Sequence, residues 1–106
     1  MENFLLVFVT FADKPQAEKC IEVLLGARLI ACANIVSEVH SRFHWQGSIS
    51  NEAEILVIMK TRQKLIDELI KTVKENHSYQ VPEIIALPIV AGAYDYMEWI
   101  KEETSR

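Results

Sequence analysis

The chain has little of what specialised scaffolds are built from. It carries 3 glycines, 3 prolines and 2 cysteines in 106 residues. So few turn-formers exclude a collagen-like or linker-dominated chain. Cys20 and Cys32 form no CxxC, which excludes a dense disulfide framework; each sits in an apolar pattern and reads as a reduced, buried thiol. Basic charge is also in short supply. With a net charge of −4, the surface repels phosphate backbones, and nucleic acid is not expected as a partner. No apolar run approaches the ~20 residues that cross a bilayer, so no membrane span is expected. Met1, Glu2 and Asn3 precede the first apolar run without a basic residue. No secretory leader is therefore expected, and the chain reads as cytoplasmic. Neither GxSxG, P-loop nor GxGxxG occurs, and no enzyme signature is visible.

What is present is apolar. Half of the residues are hydrophobic, enough for the core of one domain spanning residues 1–106. Phe4 to Val9 is a continuous apolar run that predicts a strand buried on both faces. Asp13 with Gln16 resembles a capping box, with Pro15 in the first turn. Ala17, Cys20, Ile21, Leu24 and Leu25 then recur at helical spacing until Gly26, the expected stop. From Leu29 to Trp45 a long strand is predicted. Its later part places Ile35, Ser37, Val39, Ser41, Phe43 and Trp45 on one face, with Glu38, His40, Arg42 and His44 on the other. Gln46-Gly47 is the turn, and Ser48 to Lys60 returns as a third strand. Thr61 is the candidate cap of a second helix with Leu65, Ile66, Leu69, Ile70 and Val73 inward. Ile84 to Val90 reads as a fourth strand. A last helix begins near Ala93–Asp95 and carries Tyr96, Trp99 and Ile100.

The order βαββαβ plus a C-terminal helix predicts an α+β fold, a ferredoxin-like sandwich. Strands 1 and 3 have unbroken apolar runs and should be central. Strand 2 alternates, and strand 4 contains Pro88, a residue confined to sheet edges. These assignments give an antiparallel order of 4-1-3-2. The long hairpin of strands 2 and 3 does not fit a monomer. At about 3.3 Å per residue it reaches ~50 Å, whereas helices of about 12–14 residues cover only ~20 Å. Phe43 and Trp45 near the tip then overhang the core and mark an interface between subunits. The alternative is a bulge that folds the tip back.

Candidate chemistry is sparse. His40 and His44 share a strand face but lie ~13 Å apart, too far to chelate one ion. His77, at the end of the second helix, has two readings: an imidazole meeting the helix's free carbonyls, or a ligand or metal contact. Lys60, beside Thr61 and Arg62, is either an anion site next to helix amides or a strand end carrying its charge to water. Tyr79 and Glu83 could face the same cleft as Lys60. Pro82 and Pro88 stiffen the passage between His77 and the fourth strand.

Several segments together resemble one family. They are Ala31-Cys32-Ala33-Asn34-Ile35, Trp45-Gln46-Gly47, Glu54 through Lys60-Thr61, His77-Ser78-Tyr79-Gln80-Val81-Pro82-Glu83-Ile84, Leu87-Pro88 and Tyr96-Met97-Glu98-Trp99-Ile100. In this order, over nearly the whole chain, they are similar to the CutA divalent-cation tolerance family. The resemblance implies a cytoplasmic, non-enzymatic homotrimer linked to tolerance of copper and other divalent metal ions. It implies that Cu(II) or another divalent cation binds weakly, with His77 as the metal contact. Two ligand positions proposed in some members fall here on Val9 and Asn76, so only His77 remains. The family's likeness to PII signalling proteins implies an alternative: a small anionic effector held in an intersubunit cleft near Lys60, Tyr79 and Glu83.

Overall fold

A computed structural model describes residues 2–105. The elements are β1 (Phe4–Phe11), α1 (Lys14–Gly26), β2 (Cys32–Trp45), β3 (Ser48–Arg62), a short 3-10 turn (Gln63–Leu65), α2 (Ile66–Glu75), β4 (Ile84–Pro88) and α3 (Tyr94–Glu103). One sheet runs β2-β3-β1-β4, with all neighbours antiparallel. Read from the other edge this is the expected 4-1-3-2 order. The central strands are the two with unbroken apolar runs, and Pro88 does lie on an edge.

Helices α1 and α2 cover one sheet face. Val7, Val9 and Phe11 of β1 and Ile55, Val57 and Met59 of β3 meet Ala17, Cys20, Ile21, Leu24, Leu69 and Val73 there. The opposite face is a correction to the sequence reading. β1 is not enclosed on both sides: Phe4, Leu6 and Phe8 are only half-buried. By register Leu6, Phe8, Leu56, Ile58, Val36, Ile85 and Leu87 share this open face. Ile85 and Leu87 remain 52% and 46% exposed. Tyr96 of α3 reaches Cys32, so α3 lies over one end of it.

Other boundaries moved for identifiable reasons. Gly26 is the last helical residue of α1, not its stop. The chain reverses at Arg28, whose φ of 57° puts a non-glycine residue in the left-handed region. Leu29 N–H then donates to the Leu24 carbonyl and Arg28 N–H to the Leu25 carbonyl, and Leu29 and Leu24 are both fully buried. This is a Schellman ending, whose apolar contact offsets the cost of the strained residue. Leu29 to Ala31 form the turn out of it, so β2 starts at Cys32 rather than Leu29. Thr61 caps nothing: it is a buried residue of β3 whose hydroxyl donates to the Leu29 carbonyl at 2.6 Å. A 3-10 turn intervenes, so α2 starts at Ile66. β4 ends at Pro88, two residues short of Val90.

The expected alternation along β2 breaks at a bulge between Ser37 and Val39. An extra residue, Glu38, shifts every later side chain to the other face. Ile35 and Ser37 pair with Val57 and Ile55 on the helix side. Val39, Ser41, Phe43 and Trp45 pair with Glu54, Glu52, Ser50 and Ser48 on the open side. The bulge does not fold the tip away; the hairpin stays paired to its turn, and the longest dimension of the molecule is 44 Å. Phe43 and Trp45 are 38% and 40% exposed.

At the far end of β3 the buried Arg62 guanidinium gathers both chain ends. It donates to the Glu2 carboxylate at 2.6 Å, to the Thr104 hydroxyl at 2.8 Å and to the Thr104 carbonyl at 2.9 Å. No described helix is long and apolar enough to cross a membrane.

Candidate functional site

The passage after α2 is fastened to the sheet by three side chains. Asp13 caps α1 by accepting the Gln16 N–H at 2.9 Å. The Gln16 side chain does not complete the capping box; its carbonyl accepts both the Ser78 N–H and the Ser78 hydroxyl, each at 3.1 Å. His77 comes next. It sits past the end of α2, which stops at Glu75 and is closed by the Asn76 side chain donating to the Thr72 carbonyl at 2.8 Å. The imidazole therefore meets none of the helix's carbonyls. Its Nδ1 accepts the Tyr79 N–H at 3.1 Å, which leaves the proton on Nε2, donated to the Thr10 carbonyl at 2.7 Å. The ring stacks on Phe11, with centroids 4.6 Å apart.

Tyr79 then reaches over the open face of the sheet. Its hydroxyl donates to Glu54 Oε2 at 2.7 Å. Glu54 is only 5% exposed, although it is a carboxylate. Burial, this bond and the charges of Glu54, Glu52 and Asp13 all push the phenol well above its ordinary range. Tyr79 is thus a permanent donor to a carboxylate at the base of the hairpin.

Beside this pair runs a groove of two adjoining hollows. One, of about 440 Å³, is bounded by Phe43, Trp45, Glu52, Tyr79 and Val81. The other, of about 390 Å³, is bounded by Arg42, Glu54, Tyr79 and Glu83 among others. The structure thus brings Tyr79, Glu83, Phe43 and Trp45 to one groove, with His77 behind Tyr79. It does not bring Lys60 there. Lys60 lies six residues from Glu54 along β3, about 20 Å at ~3.3 Å each. Its ammonium hydrogen-bonds Asn34 Oδ1 and lies 3.8 Å from Cys32 Sγ. It is two residues before the strand end, three before the 3-10 turn and six before α2, so no helix amides stand beside it.

Sequence reasoning assigned no role to Glu54, Glu52 or Thr10, and gave Gln16 only a place in the capping box. The available signal was a carboxylate directly ahead of the apolar run Ile55 to Met59. An acid at that place in a central strand must find a partner when it is buried.

A tightly held metal ion does not fit one chain. No group of three His, Cys, Asp or Glu side chains among the described residues is arranged to hold an ion. Both His77 nitrogens are already hydrogen-bonded. Cys20 lies buried in the core, where desolvation pushes its thiol up to about 11. Cys32 is half-buried on the opposite side of the sheet.

Comparison with known proteins gives the family. The family model for the CutA1 divalent ion tolerance protein matches residues 5–103. A chloroplastic CutA 1 protein of Oryza sativa is 42% identical over 100 residues, covering 94% of this chain. The chain spans only 56% of that relative's length. The crystal structure of CutA1 from Oryza sativa superposes with a TM-score of 0.94 at 41% identity, covering 97% of this chain and 94% of that one. A structure described as the periplasmic divalent cation tolerance protein CutA from Archaeoglobus fulgidus superposes at 0.92, with 36% identity over 99% of this chain and all of that one. By the family match over residues 5–103 and these identities and superpositions, this chain belongs to the CutA1 divalent ion tolerance family.

Proposed function

We propose that this chain acts in divalent-cation tolerance as a cytoplasmic, non-enzymatic homotrimer that meets Cu(II) and other divalent cations weakly. The observation that carries this reading is the double engagement of His77. A cation can reach its imidazole only by displacing the Tyr79 N–H or the Thr10 carbonyl, and among the described residues no set of three His, Cys, Asp or Glu ligands is gathered to hold it. Such a contact is weak and exchangeable, suited to sensing or buffering an excess of ions. The half-exposed apolar face around Phe8, Ile85 and Leu87 supports assembly, with Phe43 and Trp45 at the subunit boundary. Calorimetric titration of Cu(II) into the purified oligomer tests the contact. His77→Ala should weaken binding about tenfold, the scale of losing one ligand interaction of ~1.4 kcal/mol. Unchanged affinity would remove His77 from the site.

The groove supports a second reading, a PII-like protein with a small effector between subunits. Its volume suits a metabolite. An anionic effector at Lys60, Tyr79 and Glu83 would need Lys60 to come from a neighbouring subunit, because within one chain it lies far from the other two. Thermal-shift screening with Lys60→Ala as the control tests that arrangement.

A further inference from the structure

The groove contains a combination of groups for which the metal reading has no use. Its walls are three aromatic rings, Phe43, Trp45 and Tyr79. Along it stand three carboxylates, Glu52, Glu54 and Glu83, against one cation, Arg42. Asp13 is close enough to act on Tyr79 as well. We propose that this groove binds a small organic cation, an ammonium or guanidinium group carried on an apolar body.

Charge selects the sign. Three acids against one guanidinium repel an anion and concentrate a cation. Glu54 supplies the anchor. It is 5% exposed and its Oε2 accepts from Tyr79, but Oε1 has no hydrogen-bond partner among the described residues. Every fully enclosed side-chain oxygen among the described residues is hydrogen-bonded. The unpartnered Glu54 oxygen therefore opens on the groove. A deep-set carboxylate oxygen is a strong acceptor for an N–H of a cation.

Spacing then selects the kind of cation. A bare divalent ion needs several oxygens closed around it at about 2.0–2.6 Å. The acids here are spread along the groove and form no such cluster. Aromatic faces attract alkylammonium and guanidinium groups, and a hydrophobic body gains by covering them. A volume of about 440 Å³ accommodates a small molecule. This inference goes beyond the metal reading; it rests on the groove of the second reading but reverses the sign of the ligand, and the citrate control separates the two. It requires only that the assembled subunits leave the groove open beside the hairpin tips.

Calorimetry on the purified protein, with putrescine and tetramethylammonium chlorides as probes and sodium chloride and sodium citrate as controls, tests it. Both organic cations should bind and neither control should. Glu83→Gln, a change at an exposed position, should weaken binding about threefold. Glu54→Gln should weaken it about tenfold, since a charge-assisted bond is lost. Should Glu54→Gln fail to fold, Glu83→Lys reverses an exposed charge and should abolish binding. Absence of heat with both organic cations, tighter binding of citrate, or indifference to the Glu83 substitutions would overturn the proposal. Light scattering and the Cu(II) titration on the same samples keep the readings apart. Cation binding by a protein of monomeric mass would support the groove and refute the trimer.

Discussion

The Tyr79 hydroxyl carries more than its size suggests. It joins the passage after α2 to a largely buried carboxylate that has no other hydrogen-bond partner among the described residues. Hydrogen bonds to charged groups contribute roughly 1.5–3 kcal/mol. Tyr79→Phe should therefore lower unfolding stability in urea by about 2 kcal/mol near neutral pH. The pH dependence has a definite sign. The folded-state phenol sits above its ordinary value of 10.0. Its contribution is complete below that value and declines as pH rises beyond it, because the unfolded chain ionises first. Replacing Tyr79 should flatten the loss of stability above pH ~10. A mutant as steep as the wild type would show that Tyr79 does not drive it. Little of this was legible in the sequence. Tyr79 was singled out by its company in a constrained passage, but its partner lies 25 residues away and is set by the register of β3 against β1. The same holds for His77, which the sequence placed at the end of α2 among free carbonyls, whereas it lies past Glu75 and donates to Thr10.

Elements were more legible than their ends. Apolar runs located β1 and β3 at the centre, and Pro88 and the alternation in β2 located the edges, because each signal reports burial directly. Ends depend on caps, and caps depend on backbone angles that composition does not encode. Gly26 looked like the terminator of α1 because glycine usually occupies the left-handed position; here Arg28 does. Gly26 is an exposed helical residue with nothing within 4 Å of where a Cβ would stand. Gly26→Ala should accordingly raise stability by about 0.4–1 kcal/mol, chiefly by restricting the unfolded chain. A fall on chemical denaturation would show that the last turn needs glycine after all. The bulge at Glu38 was equally hidden. One residue without a partner sends Phe43 and Trp45 to the same side as Glu54 and Tyr79, and without it Tyr79 would be the groove's one aromatic wall of the three.

At the scale of the molecule, the strand and helix lengths already showed that the helices could not cover the hairpin. What the lengths could not show was the second uncovered surface, the open sheet face. That face came from the half-exposure of Phe4, Leu6 and Phe8 in a strand whose apolar run predicted enclosure. Trp45→Ala removes a large ring at the proposed boundary and should shift the light-scattering mass toward monomer at low protein concentration. An unaltered mass over the whole dilution series would place the boundary elsewhere.

The Arg62 clamp has a practical consequence. Because one guanidinium holds both Glu2 and Thr104, the amino and carboxyl ends leave the molecule from the same pole, opposite the hairpin turn. A short linker can therefore join the two ends, and new ends can be opened at Gln46-Gly47. Such a circular permutant retains every strand pairing while turning the hairpin tip into a free attachment point. Conversely, a fluorescent fusion on either end of this chain stands at the Arg62 pole, about 26 Å along β3 from Glu54 at ~3.3 Å per residue, and should leave ligand access to the groove unobstructed.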